Sequence, residues 1–210
     1  MTSTTAPTTA RPRVSALRAC AAIAFAALAL GGCIDDDDDF FDDEPDLPPI
    51  ENVAVLNLDG DNVSGPTLGA GTHRLGVQFY EEDLLDFDGR ELEGARIFVG
   101  RQPASLRISV HPGGEAVPGF ETEALEVVGD IPSGGWFDFA FERPVTIDAS
   151  DVLWLVVEVE HDAPQQSIGC DAPGSRIDGG DWLWSNDRWR TFQERSGEEV
   201  NWNIRGLVAR

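Results

Sequence analysis

The amino-acid sequence predicts an all-β domain, a two-sheet antiparallel β-sandwich of jelly-roll type, over residues 50–210. Three observations predict it. No stretch after residue 50 keeps an apolar period of 3.6; short runs alternate apolar and polar residues instead. Gly, Pro, Asn and Asp separate those runs at close intervals. No segment has the length and pattern of a crossover helix, which removes a parallel α/β sheet.

The elements follow in order. Residues 74–80 (RLGVQFY) alternate and read as a strand. Residues 81–85 open with acids and read as one helical turn. Residues 92–99 (LEGARIFV) and 106–111 (LRISVH) read as strands, closed by Gly100 and by Pro112-Gly113-Gly114. Residues 123–128 and 136–141 (WFDFAF) flank a turn at 132–135, and 145–147 form a further short strand. Residues 152–160 (VLWLVVEVE) are the most apolar segment and read as a central strand. Residues 181–185, 189–192 and 202–209 complete the set. There is no internal repeat.

Ahead of this domain the texture is different. Arg11, Arg13 and Arg18 precede twelve apolar residues, 19–30 (ACAAIAFAALAL). That run is too short for a membrane span and suits a secretory signal over residues 1–32. It ends in Leu30-Gly31-Gly32-Cys33, which resembles the lipobox of bacterial lipoproteins. The resemblance implies that Cys33 becomes a lipidated N-terminus and the membrane contact, since several acyl chains together anchor stably. An ordinary signal peptide with an incidental Cys is the alternative.

Residues 33–49 then form an acidic linker, with Asp at 35–39, 42, 43 and 46, Glu44, and Pro45, Pro48 and Pro49. Like charges and prolines extend such a chain. A solvated spacer is one reading; a low-affinity calcium sponge or a sorting signal is the other. The charge is lopsided throughout: 38 acids against 15 basic residues give −23. Nucleic acid and anionic membrane faces would be repelled. Three cysteines, Cys20, Cys33 and Cys170, make no disulfide framework. Cys170, left alone in the mature chain, reads as a small buried hydrophobe.

The late motifs carry a family likeness. They are Leu153-Trp154, Glu158-Val159-Glu160-His161, Gly169-Cys170-Asp171-Ala172-Pro173-Gly174, Gly180-Asp181-Trp182 and Asn201-Trp202-Asn203-Ile204-Arg205. Looser matches are 58–62 (LDGDN), Leu68-Gly69 and 76–79 (GVQF). Together, over roughly residues 53–209, they resemble the cleaved-adhesin (gingipain–haemagglutinin type) jelly-roll module. The Pro173-Gly174 order departs from that family's Gly-Pro. The resemblance implies a non-catalytic adhesion or binding module with a carbohydrate or surface-protein ligand and structural calcium. It also implies a place on the envelope of a Gram-negative bacterium, with the outer membrane as the expected site. The alternatives are a structural envelope lipoprotein without a ligand and a glycan-acting hydrolase.

Specific residues fit these chemistries. Asp59, Asp61 and Asn62 crowd oxygen donors into a Gly-containing turn, as calcium requires, though not in EF-hand spacing. A metal-free Asx turn explains the same residues. Asp178 and Asp181 form a second, weaker candidate pair for calcium. Trp182, Trp184 and Trp189 border polar loops and are candidate platforms for a sugar face. Trp154 and Trp202 read as core. Glu158 and Glu160, two apart on a strand, share a face; a glycosidase needs two acids about 5–9.5 Å apart across a cleft. A solvated strand face is the plainer reading. His161 reads as a hydrogen-bonding strand-end residue, and His73 and His111 show no ligand spacing. No nucleophile elbow is present.

Overall fold

The computed structural model describes residues 49–119, 123–127 and 131–210. The signal segment, Cys33 and the tether up to residue 48 lie outside the described residues. Among those described, no helix is long and apolar enough to cross a membrane.

Among the described residues ten strands form two sheets: β1 Val53–Leu56, β2 Gly71–Phe79, β3 Glu91–Val99, β4 Ser105–Pro112, β5 Glu123–Val127, β6 Gly135–Thr146, β7 Leu153–His161, β8 Trp182–Trp184, β9 Trp189–Thr191 and β10 Ile204–Ala209. The four-stranded sheet has the order β1-β10-β3-β6, and the six-stranded sheet β5-β4-β7-β2-β8-β9. All pairings are antiparallel. The pairs nest: β4 with β5, β3 with β6, β2 with β7, β1 with β10. Nested pairing is a long hairpin rolled onto itself, the winding of a jelly roll. The β8–β9 hairpin is an addition that extends the six-stranded sheet beyond β2.

Alternation builds the core. Leu75, Val77 and Phe79 of β2, Leu106, Ile108 and Val110 of β4, and Leu153, Leu155, Val157 and Val159 of β7 point inward. They meet Leu92, Ala95, Ile97 and Val99 of β3 and Phe139, Phe141 and Val145 of β6. As the most apolar strand, β7 lies inside its sheet between β4 and β2. A strand covered on both faces is expected to read as a near-continuous apolar run.

The structure departs from the sequence reading in four places. Residues 53–56 form a strand that the short run did not announce. The two expected segments at 136–141 and 145–147 are one strand, β6. Its partner β3 shifts register between Leu92 and Gly94, which accommodates Pro144 and its missing N–H. Trp202 precedes β10 and makes only an isolated bridge, to Cys170. Residues Phe192–Ser196 form a short helix, α2, after β9. Thr191 and Glu194 cap it reciprocally, and Gly197 ends it at φ 79°. That Thr-x-x-Glu box and trailing Gly were readable as helix signals.

Candidate functional site: an aromatic-walled cavity on the outer sheet face

Residues between the core positions face away from the sandwich. On the six-stranded sheet these are Arg74, Gly76 and Gln78, Arg107, Ser109 and His111, Trp154, Val156 and Glu158, and Trp182 and Trp184. Trp154 is fully buried, yet on this outer face. Its ring is covered by Trp182 at 5.2 Å and Trp189 at 5.7 Å between centroids. Its Nε1 donates to the Gly114 carbonyl at 2.7 Å. The buried Gln78 amide donates to the Gly114 and Glu115 carbonyls. These two side chains fasten the 113–119 loop onto the sheet. The sequence reading places Trp154 in the core, and it is fully buried, but on the outer face of its sheet; alternation does not say which face of a strand is the inner one.

The fastened loop and the added hairpin enclose a cavity of about 460 Å³. Trp184, Trp189, Val156, Val117 and Pro118 supply apolar lining, and Arg74, Arg107, Ser109, His111 and Glu158 polar lining. Its volume lies within the usual range for ligand pockets, about 300–1,000 Å³. Trp184 and Trp189 meet edge to face, centroids 5.9 Å apart. They are cross-strand partners, joined by a tight turn in which Asn186 and Asp187 take φ of 53° and 60°. Two successive positive φ values match the twist of a hairpin. Gly76 makes room for the tryptophans: a Cβ there would meet Trp189 at 3.2 Å and Trp154 at 3.4 Å.

The polar wall is a cross-strand row. Glu158 of β7 lies opposite Arg74 of β2 on one side and Arg107 of β4 on the other. Arg74 Nε donates to Glu158 Oε2 at 2.5 Å. The Arg74 guanidinium also lies 5.9 Å from the Trp184 ring. Neither Nη of Arg74 nor Oε1 of Glu158 has a hydrogen-bond partner among the described residues. Deeper in the cavity, His111 Nδ1 faces the Gly119 carbonyl at 3.2 Å and Nε2 faces Ser109 Oγ at 2.8 Å. A carbonyl only accepts, so Nδ1 carries a proton and donates to Gly119. Glu158 is the one carboxylate lining the cavity among the described residues. Glu160 lies outside it, 3.5 Å from Ser105 Oγ.

The other predicted residues lie elsewhere. Trp182 is half-buried against Trp154 and does not line the cavity. Asp59 is buried and accepts from Arg205 Nε at 2.9 and 3.0 Å and from Asn203 Nδ2 at 2.6 Å. Asp61 is exposed. Asp181 is buried and accepts from Arg176 at 3.0 Å and from the Gln193 N–H at 3.0 Å. Burial pushes its carboxyl above the ordinary carboxylate range, against the pull of those donors. Asp178 is exposed and pairs with Arg176. Both buried carboxylates thus already face an arginine, the compensation a buried charge requires.

Two oxygens near the first turn lack that compensation. Asn62 Oδ1 and Asn203 Oδ1 are buried and undonated among the described residues. Both lie beside Gly169, where a Cβ would meet them at 2.2 and 2.9 Å.

The 201–205 motif is a structural clasp. Asn201 donates to Asp171 from its backbone and its amide, both at 2.7 Å. Asn203 and Arg205 hold the 59–60 turn. Cys170 is buried, as expected, and burial pushes its thiol above the ordinary range. His161 is buried, with Nε2 2.7 Å from Ser167 Oγ.

Fold and site together define a jelly-roll β-sandwich with an aromatic-walled cavity on its outer face. No family model and no curated protein matches the chain, so the cleaved-adhesin likeness rests on its motifs. Among solved structures it is similar to two of Cwp84. One is described as the cysteine protease and lectin-like domains of a surface layer associated protein of Clostridium difficile. TM-score is 0.55 at 12% identity, over 77% of this chain and 37% of that one. The other, a clostridial cysteine protease after propeptide cleavage, gives 0.54 at 12%, over 77% and 41%. This chain spans well under half the length of either, and identity so low establishes shared fold alone.

Proposed function

We propose that this protein is a lipid-anchored, non-catalytic saccharide-binding module of a bacterial cell envelope. One observation carries the reading. Trp184 and Trp189 wall a cavity whose remaining lining mixes aliphatic side chains with hydrogen-bonding groups. Sugar rings present the same mixture, apolar C–H faces edged by hydroxyls. The Cwp84 structure with lectin-like domains supports the reading by its fold. In this reading the lipobox-like segment at Cys33 supplies the anchor, and the acidic linker of residues 33–49 the reach. The cavity wall supports binding rather than hydrolysis, since a glycosidase needs two acids and this wall presents one among the described residues.

The calcium expectation narrows. Asn62 Oδ1 and Asn203 Oδ1 fit a hard cation by donor type. The Asp59 and Asp181 carboxylates are engaged by arginine.

The experiment is a glycan array probed with the full chain and with Trp184→Ala and Trp189→Ala. Selective binding lost in both variants is expected. No binding, or binding indifferent to both substitutions, overturns the proposal.

A further inference from the structure

We infer that the cavity takes an uncharged saccharide, read through a vicinal pair of hydroxyls by Arg74 and Glu158, and rejects saccharides bearing carboxylate or sulfate. The inference rests on the saccharide reading of the site and adds the ligand's chemistry.

The ion pair is incompletely used. Arg74 Nε and Glu158 Oε2 satisfy each other at 2.5 Å. That leaves two NH₂ groups and one carboxylate oxygen on adjacent atoms of the wall, with no partner among the described residues. Their side chains stay partly exposed, 47% and 25%. An adjacent donor and acceptor match two neighbouring hydroxyls, one oxygen accepting from the guanidinium while the other O–H donates to the carboxylate. The Trp184 ring beside Arg74 would support the sugar's apolar face.

Charge weighs against an anionic group at the Glu158 oxygen. Arg74 is neutralised by Glu158. The chain as a whole carries −23. A carboxylate or sulfate brings no proton for the acceptor-only Glu158 oxygen and meets net repulsion from the chain at long range.

The test titrates the full chain with a neutral oligosaccharide selected on the array, the same oligosaccharide after periodate cleavage of its vicinal diols, and uronate and sulfated oligosaccharides. Wild type is expected to bind the neutral probe and lose it after periodate. Glu158→Ala and Arg74→Ala should each weaken neutral binding about tenfold or more. Glu158→Gln, which unmasks the Arg74 charge, should raise uronate or sulfate binding severalfold; a purely structural role for Glu158 would not. Preference for either anionic probe, or periodate-resistant binding, overturns this inference, as does neutral binding untouched by these variants. In those cases the saccharide site itself survives if binding still needs Trp184 and Trp189. Absence of all binding removes both.

Discussion

Trp154 points away from the inter-sheet core and donates its indole N–H to the Gly114 carbonyl at 2.7 Å, so a fully buried tryptophan anchors the loop that walls the cavity. Replacing it by Phe keeps most of the ring and removes the bond. We expect a loss of about 1–3 kcal/mol, because the Gly114 carbonyl loses its indole donor. Proteolysis within 113–119 should quicken and saccharide affinity should fall. Urea melts and limited digestion check both.

Gly76 lies beneath two of the stacked indoles. The Cβ of Gly76→Ala would come within 3.2 Å of Trp189 and 3.4 Å of Trp154. Trp189 must shift, at about 1–3 kcal/mol of overpacking. A changed tryptophan emission spectrum with reduced binding is expected; unaltered emission and affinity would contradict the packing described.

The Asp59 carboxylate is fully buried and Arg205 is its cation. Arg205 also stacks on Trp136, 4.0 Å from the ring centroid. Arg205→Ala strands a buried negative charge, so about 3–5 kcal/mol should be lost. Denaturant unfolding measures it.

The His161 ring is buried beside His73, centroids 5.0 Å apart. Burial first, and the neighbouring His73 second, lower its pKa below the ordinary 6.5. The folded state therefore favours the neutral ring. That preference contributes fully above pH 6.5 and is lost as pH falls from 6.5 through the lower folded value. Melting temperature should drop across that window, and His161→Gln should flatten the drop.

A cation between Asn62 and Asn203 would bind only the folded state, so excess calcium should raise the melting temperature by several degrees over EDTA. An unchanged melt removes the metal. Cys170, with its thiol pushed up by burial, should resist a thiol reagent until the protein unfolds.

Much of the architecture was legible in the chain. Alternation with Gly/Pro/Asn punctuation marked nearly every strand, since a period of two is a local property of extended backbone. The 152–160 run announced an interior strand by its continuous apolarity. Polar flanks nominate Trp182, Trp184 and Trp189 alike. The sequence by itself thus determined the all-β class, the strand positions and the aromatic stock. Only the tertiary structure decided that Trp154 and Glu158 share an outer face, that Asp59 answers Arg205 across 146 residues, and that Trp182 is covered while Trp184 lines a wall. Alternation divides a strand into two faces without saying which is inner. That choice is made when two sheets stack and distant strands fall into register.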